Sequence, residues 1–236
     1  MKTKYCFILI LAAFLNSCAP IYIPNNINTP LLSKKNEATI NLGFGQNGVD
    51  CQLSYAVSEN IGLLLNGSYL SDESNSNFNK DITYQEHQKY IEAAIGSFGE
   101  LSKNIVLEAY FGGGYGNSSS VNTYLLSDSK KIYGEGDYYK LFLQTDMGIK
   151  LKFLEGGVAL RTAYIKFDKL KYEVDFPVRS LDGIFMEPAL FMRIGGPIFK
   201  IQTQVGFSSK LSSRDFLIYD PLILSIGVML RINAHF

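Results

Sequence analysis

Asp50, Glu92, Glu108, Asp146 and Glu187, and against them Lys150, Arg161, Arg193, Lys200 and Arg231, all fall at alternate positions of segments whose intervening residues are largely apolar. Carboxylates and cations gathered on one face suit three kinds of chemistry. Two carboxylates sharing an interior, here Glu92 and Glu108, can act as the acid and base of glycoside hydrolysis. A ring of one sign selects ions in a pore. Opposite signs in a narrow interior pair off and stiffen the wall around them. The mixture of signs favours the third, so no catalytic residue is expected and the chain is read as a non-enzyme. The only histidines, His87 and His235, fall at opposite ends of their segments and suggest no Ser/His/Asp triad. The run Phe111-Gly112-Gly113-Gly114-Tyr115-Gly116 lacks the Lys-Ser/Thr of a phosphate loop. Its Gly112, Gly114 and Gly116 share the charged face, where they make room for bulky neighbours or a bend. No metal or other dissociable cofactor is expected.

The elements that must position these charges are strands. Residues 222–236 alternate without a break, with Leu222, Leu224, Ile226, Val228, Leu230, Ile232, Ala234 and Phe236 on one face. Successive strand side chains point to opposite faces, so one face is apolar and the other carries Arg231. The same period recurs over 37–45, 48–57, 61–70, 87–98, 104–116, 138–153, 157–167, 185–195 and 198–208. That predicts about ten strands, an even number, in an all-β antiparallel up-and-down transmembrane barrel. Each apolar face looks to lipid and the charges look into the lumen, beside the bulky Tyr110, Phe142 and Phe191. Pro188 cannot donate to a ladder and predicts a bulge or local break in its strand.

Hydrophobic residues make up 47% of the chain and Trp is absent. Beyond the first residues no apolar run approaches the length of a spanning helix. Lys2 and Lys4 precede a short apolar run, Phe7 to Leu15, which reads as a targeting segment. Its end, Leu15-Asn16-Ser17-Cys18, resembles the lipobox of bacterial lipoproteins, although Asn16 departs from the usual small or aliphatic residue. The resemblance implies removal of residues 1–17 and attachment of diacylglycerol and an N-acyl chain to Cys18. Losing Lys2 and Lys4 leaves 20 basic against 22 acidic residues, so no nucleic-acid partner is expected. Cys6 departs with the leader, and with Cys18 acylated Cys51 has no disulfide partner.

Residues 18–36 carry Pro20, Pro24 and Pro30 with Asn25, Asn26 and Asn28, and read as an extended lipidated tether before a barrel domain of 37–236. The stretch Cys18-Ala19-Pro20-Ile21-Tyr22-Ile23-Pro24-Asn25 and the strands behind it resemble the small outer-membrane barrel lipoproteins of Bacteroidota. The terminal strand ending on Phe236 resembles the C-terminal strand that the barrel-assembly machinery recognises. These resemblances imply an outer-membrane location, lipid contact, and passage through the barrel-assembly and lipoprotein-sorting machineries.

Connections alternate between tight turns (58–60, 99–103, 154–156, 195–197) and long polar loops (71–86, 117–137, 168–184, 209–220). Barrels of this kind keep short turns periplasmic and long loops outside. Both termini are then expected in the periplasm, with the acyl chains in the periplasmic leaflet. Outward aromatics sort to strand ends, with Phe44, Tyr69, Tyr115, Tyr139 and Phe207 at one level and Tyr55, Phe153, Phe199 and Phe236 at the other, as interfacial belts require. The leading function is a structural or partner-binding barrel, an accessory subunit of a larger outer-membrane complex with an outer-membrane protein partner. The alternatives are a small channel or transporter for a polar solute and, less favoured, an enzyme using the Glu92 and Glu108 pair.

Overall fold

The computed structural model describes residues 20–75, 82–124, 131–172, 181–213 and 217–233. Alternation drives these residues into strands: β1 (Glu37–Gly45), β2 (Gly48–Ala56), β3 (Ile61–Asn75), β4 (Ile82–Ser102), β5 (Ile105–Tyr124), β6 (Lys131–Lys150), β7 (Leu154–Tyr172), β8 (Asp182–Gly195), β9 (Phe199–Phe207), β10 (Ser209–Ser213) and β11 (Leu222–Asn233). Every neighbouring pair is antiparallel. β1 pairs with β11, with Glu37 opposite Asn233 and Gly45 opposite Ser225, and this seam closes the sheet. β9 and β10 flank Ser208 and both pair with β8, so they form one wall strand and the barrel has ten. Closure leaves no sheet edge in lipid, where an unpaired backbone group costs several kcal/mol.

Pro188 marks the break between β9 and β10. Ala189 pairs with Gly206 and Met186 with Ser209, so the register runs through, but the ladder lapses at the proline. The Ser208 amide turns instead to the Pro221 carbonyl at 2.7 Å. The only irregularity between β8 and β10 lies further on, between Lys210 and Ser212.

The wall has two faces. Leu42, Leu65, Ile91, Phe111, Leu143, Leu190, Ile201 and Ile226 are among the large apolar side chains exposed on the outside. Free Cys51 is also on this face. Three expectations about the connections need correction, the first at 99–103, where pairing runs on to Ser102–Ile105 and leaves the turn to Lys103 and Asn104. Two of the four long loops, 71–86 and 117–137, are mostly strand: β3 and β4 pair out to Asn75–Thr83, and β5 and β6 out to Thr123–Lys131, well beyond the outer aromatic row. The turn expected at 154–156 lies at 151–153, where the Leu151 amide reaches the Leu154 carbonyl at 2.9 Å. Leu154 to the outside and Glu155 to the inside already belong to the alternation of β7, which is why the strand starts there.

Candidate functional site: the occupied lumen

The expected inward charges are inside. Asp50, Glu92, Glu108, Asp146, Glu187, Arg161, Arg193, Lys200 and Arg231 are all buried, and Lys150 is partly so at the short-turn end. Three more charged residues join them: Glu37, Lys140 and Glu155. Parity could have found all three, because Ala38, Tyr139 and Leu154 face out.

What the sequence reading placed elsewhere is the chain between these charges. Residues 20–32 are buried within the barrel. They enter at the long-loop end, where the Ile21 amide donates to Ile218 O at 3.0 Å, the Asp220 amide donates to Tyr22 O at 2.9 Å, and Tyr22 bridges Tyr219 in parallel. The chain then runs the length of the lumen and reaches the short-turn end, where the Asn36 amide donates to Ala56 O at 2.8 Å. The stretch expected as a tether outside the wall is therefore a strap through it. The turn from Asn36 into β1 does lie beside Asn233, as expected. The upstream end of the strap does not, since it opens at the opposite mouth.

The physical reason is composition. Ile21, Tyr22, Ile23, Ile27, Leu31 and Leu32 would be poorly placed in water. Inside, Ile27 packs against Ala159 and Ala189, Leu31 against Val106 and Phe191, and Leu32 against Ala56 and Phe98. Tyr22 meets Phe185 with ring centroids 4.9 Å apart and Tyr138 at 6.1 Å. Pro20, Pro24 and Pro30 have no amide hydrogen to satisfy in a dry interior. The strap pairs with no strand through its middle, so wall side chains meet its backbone. Gln204 both donates to Ile27 O at 2.9 Å and accepts from Ile27 N at 2.8 Å, in the manner of a neighbouring strand. Gln88 donates to Ile23 O, Gln52 to Asn26 O and Gln144 to Asn28 O.

The strap's asparagines and the wall charges form one network. Arg161 donates to Glu92 at 3.1 Å, to Gln144 at 2.8 Å and to Asn25 Oδ1 at 3.2 Å, with its guanidinium 4.5 Å from the Phe142 ring centre. Glu92 also accepts from Asn25, Asn66 and Tyr90. Lys140 lies 3.5 Å from Glu187 and donates to Asn25 Oδ1 at 2.9 Å, while the Tyr22 hydroxyl donates to Glu187 at 2.6 Å. Asn26 donates to Asp50. Leu31 has φ 53°, the left-handed region, which turns two successive amides toward one carboxylate. Leu31 N and Leu32 N reach Glu108 at 2.9 and 2.8 Å.

At the short-turn end Glu155 meets Arg193 at 3.2 Å, Arg231 at 2.9 Å and Lys200 at 3.8 Å, while Glu37 meets Lys150 at 2.6 Å and Arg231. Arg193 and Arg231 grip the strap carbonyls from Thr29 to Leu31.

Glu92 and Glu108 are not assembled as an acid pair. Glu108 stands opposite Phe98, six residues along β4 from Glu92, which is about 20 Å at strand rise. The inward glycines of β5 do admit bulky neighbours. A Cβ at Gly112 would stand 2.6 Å from the Phe142 ring, one at Gly116 would stand 2.5 Å from the Tyr138 ring, and one at Gly114 would meet Tyr90. Phe236 and Cys18 lie outside the described residues.

No protein-family model matches the chain, and no curated protein matches it in sequence. Among solved structures it is similar to the translocator domain of the autotransporter NalP from Neisseria meningitidis, with a TM-score of 0.50 at 12% identity over 83% of this chain and 86% of that one. It is also similar to a major outer membrane protein from Thermus thermophilus, with a TM-score of 0.44 at 15% identity over 83% of this chain and 99% of that one. The fold is that of an outer-membrane β-barrel.

Proposed function

We propose that this chain is a closed, non-conducting outer-membrane barrel with a structural or partner-binding role, lipid-anchored through Cys18 and built to serve as an accessory subunit of a larger outer-membrane complex. One observation carries the reading: residues 20–32 run through the lumen, hydrogen-bonded to inward side chains from both ends of the wall. A solute would have to break charge-assisted contacts in a low-dielectric interior, and an uncompensated charge there is expensive. Long loops outside and short turns in the periplasm is the habit of such barrels and supports that orientation here. The lipobox-like Leu15-Asn16-Ser17-Cys18 supports acylation, and Phe236 is proposed as the assembly signal at the end of the closing strand. Lipid, the barrel-assembly and lipoprotein-sorting machineries and an outer-membrane protein are the proposed partners. The test is reconstitution of the mature protein in a planar bilayer. No protein-dependent unitary conductance is expected. Steady unitary steps would overturn the reading in favour of a small transporter.

A further inference from the structure

The strap gives the barrel a direction that its strands alone do not. Its downstream end feeds β1 at the short-turn end, and its upstream end is pinned to Ile218–Asp220 at the other mouth. Pro20, the first described residue, is therefore held near the mouth opposite the seam's Glu37–Asn233 end. Cys18 is two residues before Pro20, and two residues of extended chain reach no more than about 7 Å.

That mouth is uneven. β1 and β2 turn at Gln46 and Asn47, just past the Phe44–Val49 pair of the outer aromatic row. β3, the next strand, continues to Asn75, six residues beyond Tyr69. The rim is thus lowest over the β1–β2 hairpin. The strap's upper end lies beside this low point: Asn47 donates to Pro24 O, and Gln46 Nε2 donates at 3.1 Å to Asp220, whose own amide holds Tyr22. Asp220 is two residues before Leu222, which pairs with Phe207 of the aromatic row, so the exit is close to the membrane interface.

We infer that the barrel carries Cys18 through its own lumen to the long-loop mouth, so that its acyl chains enter the leaflet on that side, over the low rim of the β1–β2 hairpin. The inference rests on the lipidation proposed above, and it places the lipid opposite to the leaflet expected from the sequence. The partner of this site is a lipid surface, in which several acyl chains on one residue hold the strap's end at the interface.

The experiment labels lysines on intact cells with a membrane-impermeant amine reagent in the full-length Ala19→Lys variant. Lys171 near the long-loop end of β7 and Lys152 in a short turn are native reporters, both exposed. The amine introduced at position 19 is expected to label together with Lys171, and Lys152 only after the outer membrane is opened. A second variant, Ala19→Cys with Cys51→Ser, repeats the measurement with an impermeant maleimide and without added charge. Labelling of position 19 in step with Lys152 in the first variant, together with maleimide labelling of position 19 in the second only after the outer membrane is opened, would overturn the inference. The mass of the same N-terminal peptide reports acylation separately. A peptide that labels with Lys171 but carries no acyl chains would overturn the lipid contact and the proposed lipidation, and leave the path of the strap standing. Labelling of Lys152 alone on intact cells would overturn both the proposed orientation and the leaflet inferred from it.

Discussion

Replacing Arg161 with alanine should destabilise the barrel by about 3 kcal/mol. Breaking one side of a buried ion pair costs about 3–5 kcal/mol, because the remaining charge loses its partner where water cannot replace it. Arg161 is fully buried and bonds Glu92, Gln144 and Asn25 at once. The lower end of the range applies because Glu92 keeps three neutral donors, from Asn66 at 2.6 Å, Tyr90 at 2.8 Å and Asn25 at 3.1 Å. A loss of about 3 kcal/mol is more than a hundredfold in the folded-to-unfolded ratio. The assay is a urea series on the refolded protein in detergent, followed by the β signal in circular dichroism. Adding Glu92→Gln should recover part of the loss, since it removes the charge left behind. Arg161→Lys should recover little, because a point charge cannot span three partners. A midpoint for Arg161→Ala within about 0.5 kcal/mol of wild type would refute the reasoning, since changes that small are typical of surface positions.

Gly116→Val should overpack the lumen against Tyr138 and cost about 1–3 kcal/mol in the same urea series, whereas Gly99→Ala, with open space around it, should be neutral. Beyond the outer aromatic row, burial together with Asp220 and Asp72 pushes the Glu86 carboxyl up to about 7. A raised carboxyl favours the protonated folded state, so this contribution is present below the unfolded value of about 4.3 and is lost as pH rises through about 7. Hydrogen exchange at Tyr22 and Asp220, corrected for intrinsic rate, should therefore quicken between pH 5 and about 8, and Glu86→Gln should remove most of that dependence. Phe236→Ala should lower the amount of barrel in the outer membrane more than Phe207→Ala, as read by quantitative blotting; equal amounts would remove Phe236 as an assembly signal.

Much of this architecture was legible because a wall strand writes its two environments into alternate residues. The parity of Leu141, Leu143 and Met147 placed Asp146 inside without knowledge of any partner. The same parity holds Glu37, Lys140 and Glu155, although a strand start disguises the first and a supposed turn the last. The strap left no such trace. A chain surrounded by wall strands needs no alternation, and its backbone is met by side chains such as Gln204 and Gln88 rather than by a ladder. Its prolines and asparagines are shared with solvated linkers. The discordant signal was Ile21, Tyr22, Ile23, Ile27, Leu31 and Leu32, too much apolar surface for a tether in water. Long loops were misread for a related reason: β3 to β7 stay paired beyond the membrane, where the outer face turns polar and the apolar half of the pattern disappears.

The central claim is that residues 20–32 occupy the lumen, and a covalent cross-link tests it most directly. Ile27 packs against Ala189 in the middle of the barrel. Ile27→Cys and Ala189→Cys are introduced with Cys51→Ser, and the folded protein is treated with a short-arm thiol-to-thiol reagent. The account predicts a cross-linked peptide joining positions 27 and 189 in high yield, absent when the protein is unfolded in urea before treatment. Folded barrels in which position 27 reacts freely with a bulky water-soluble maleimide and never joins position 189 would contradict it.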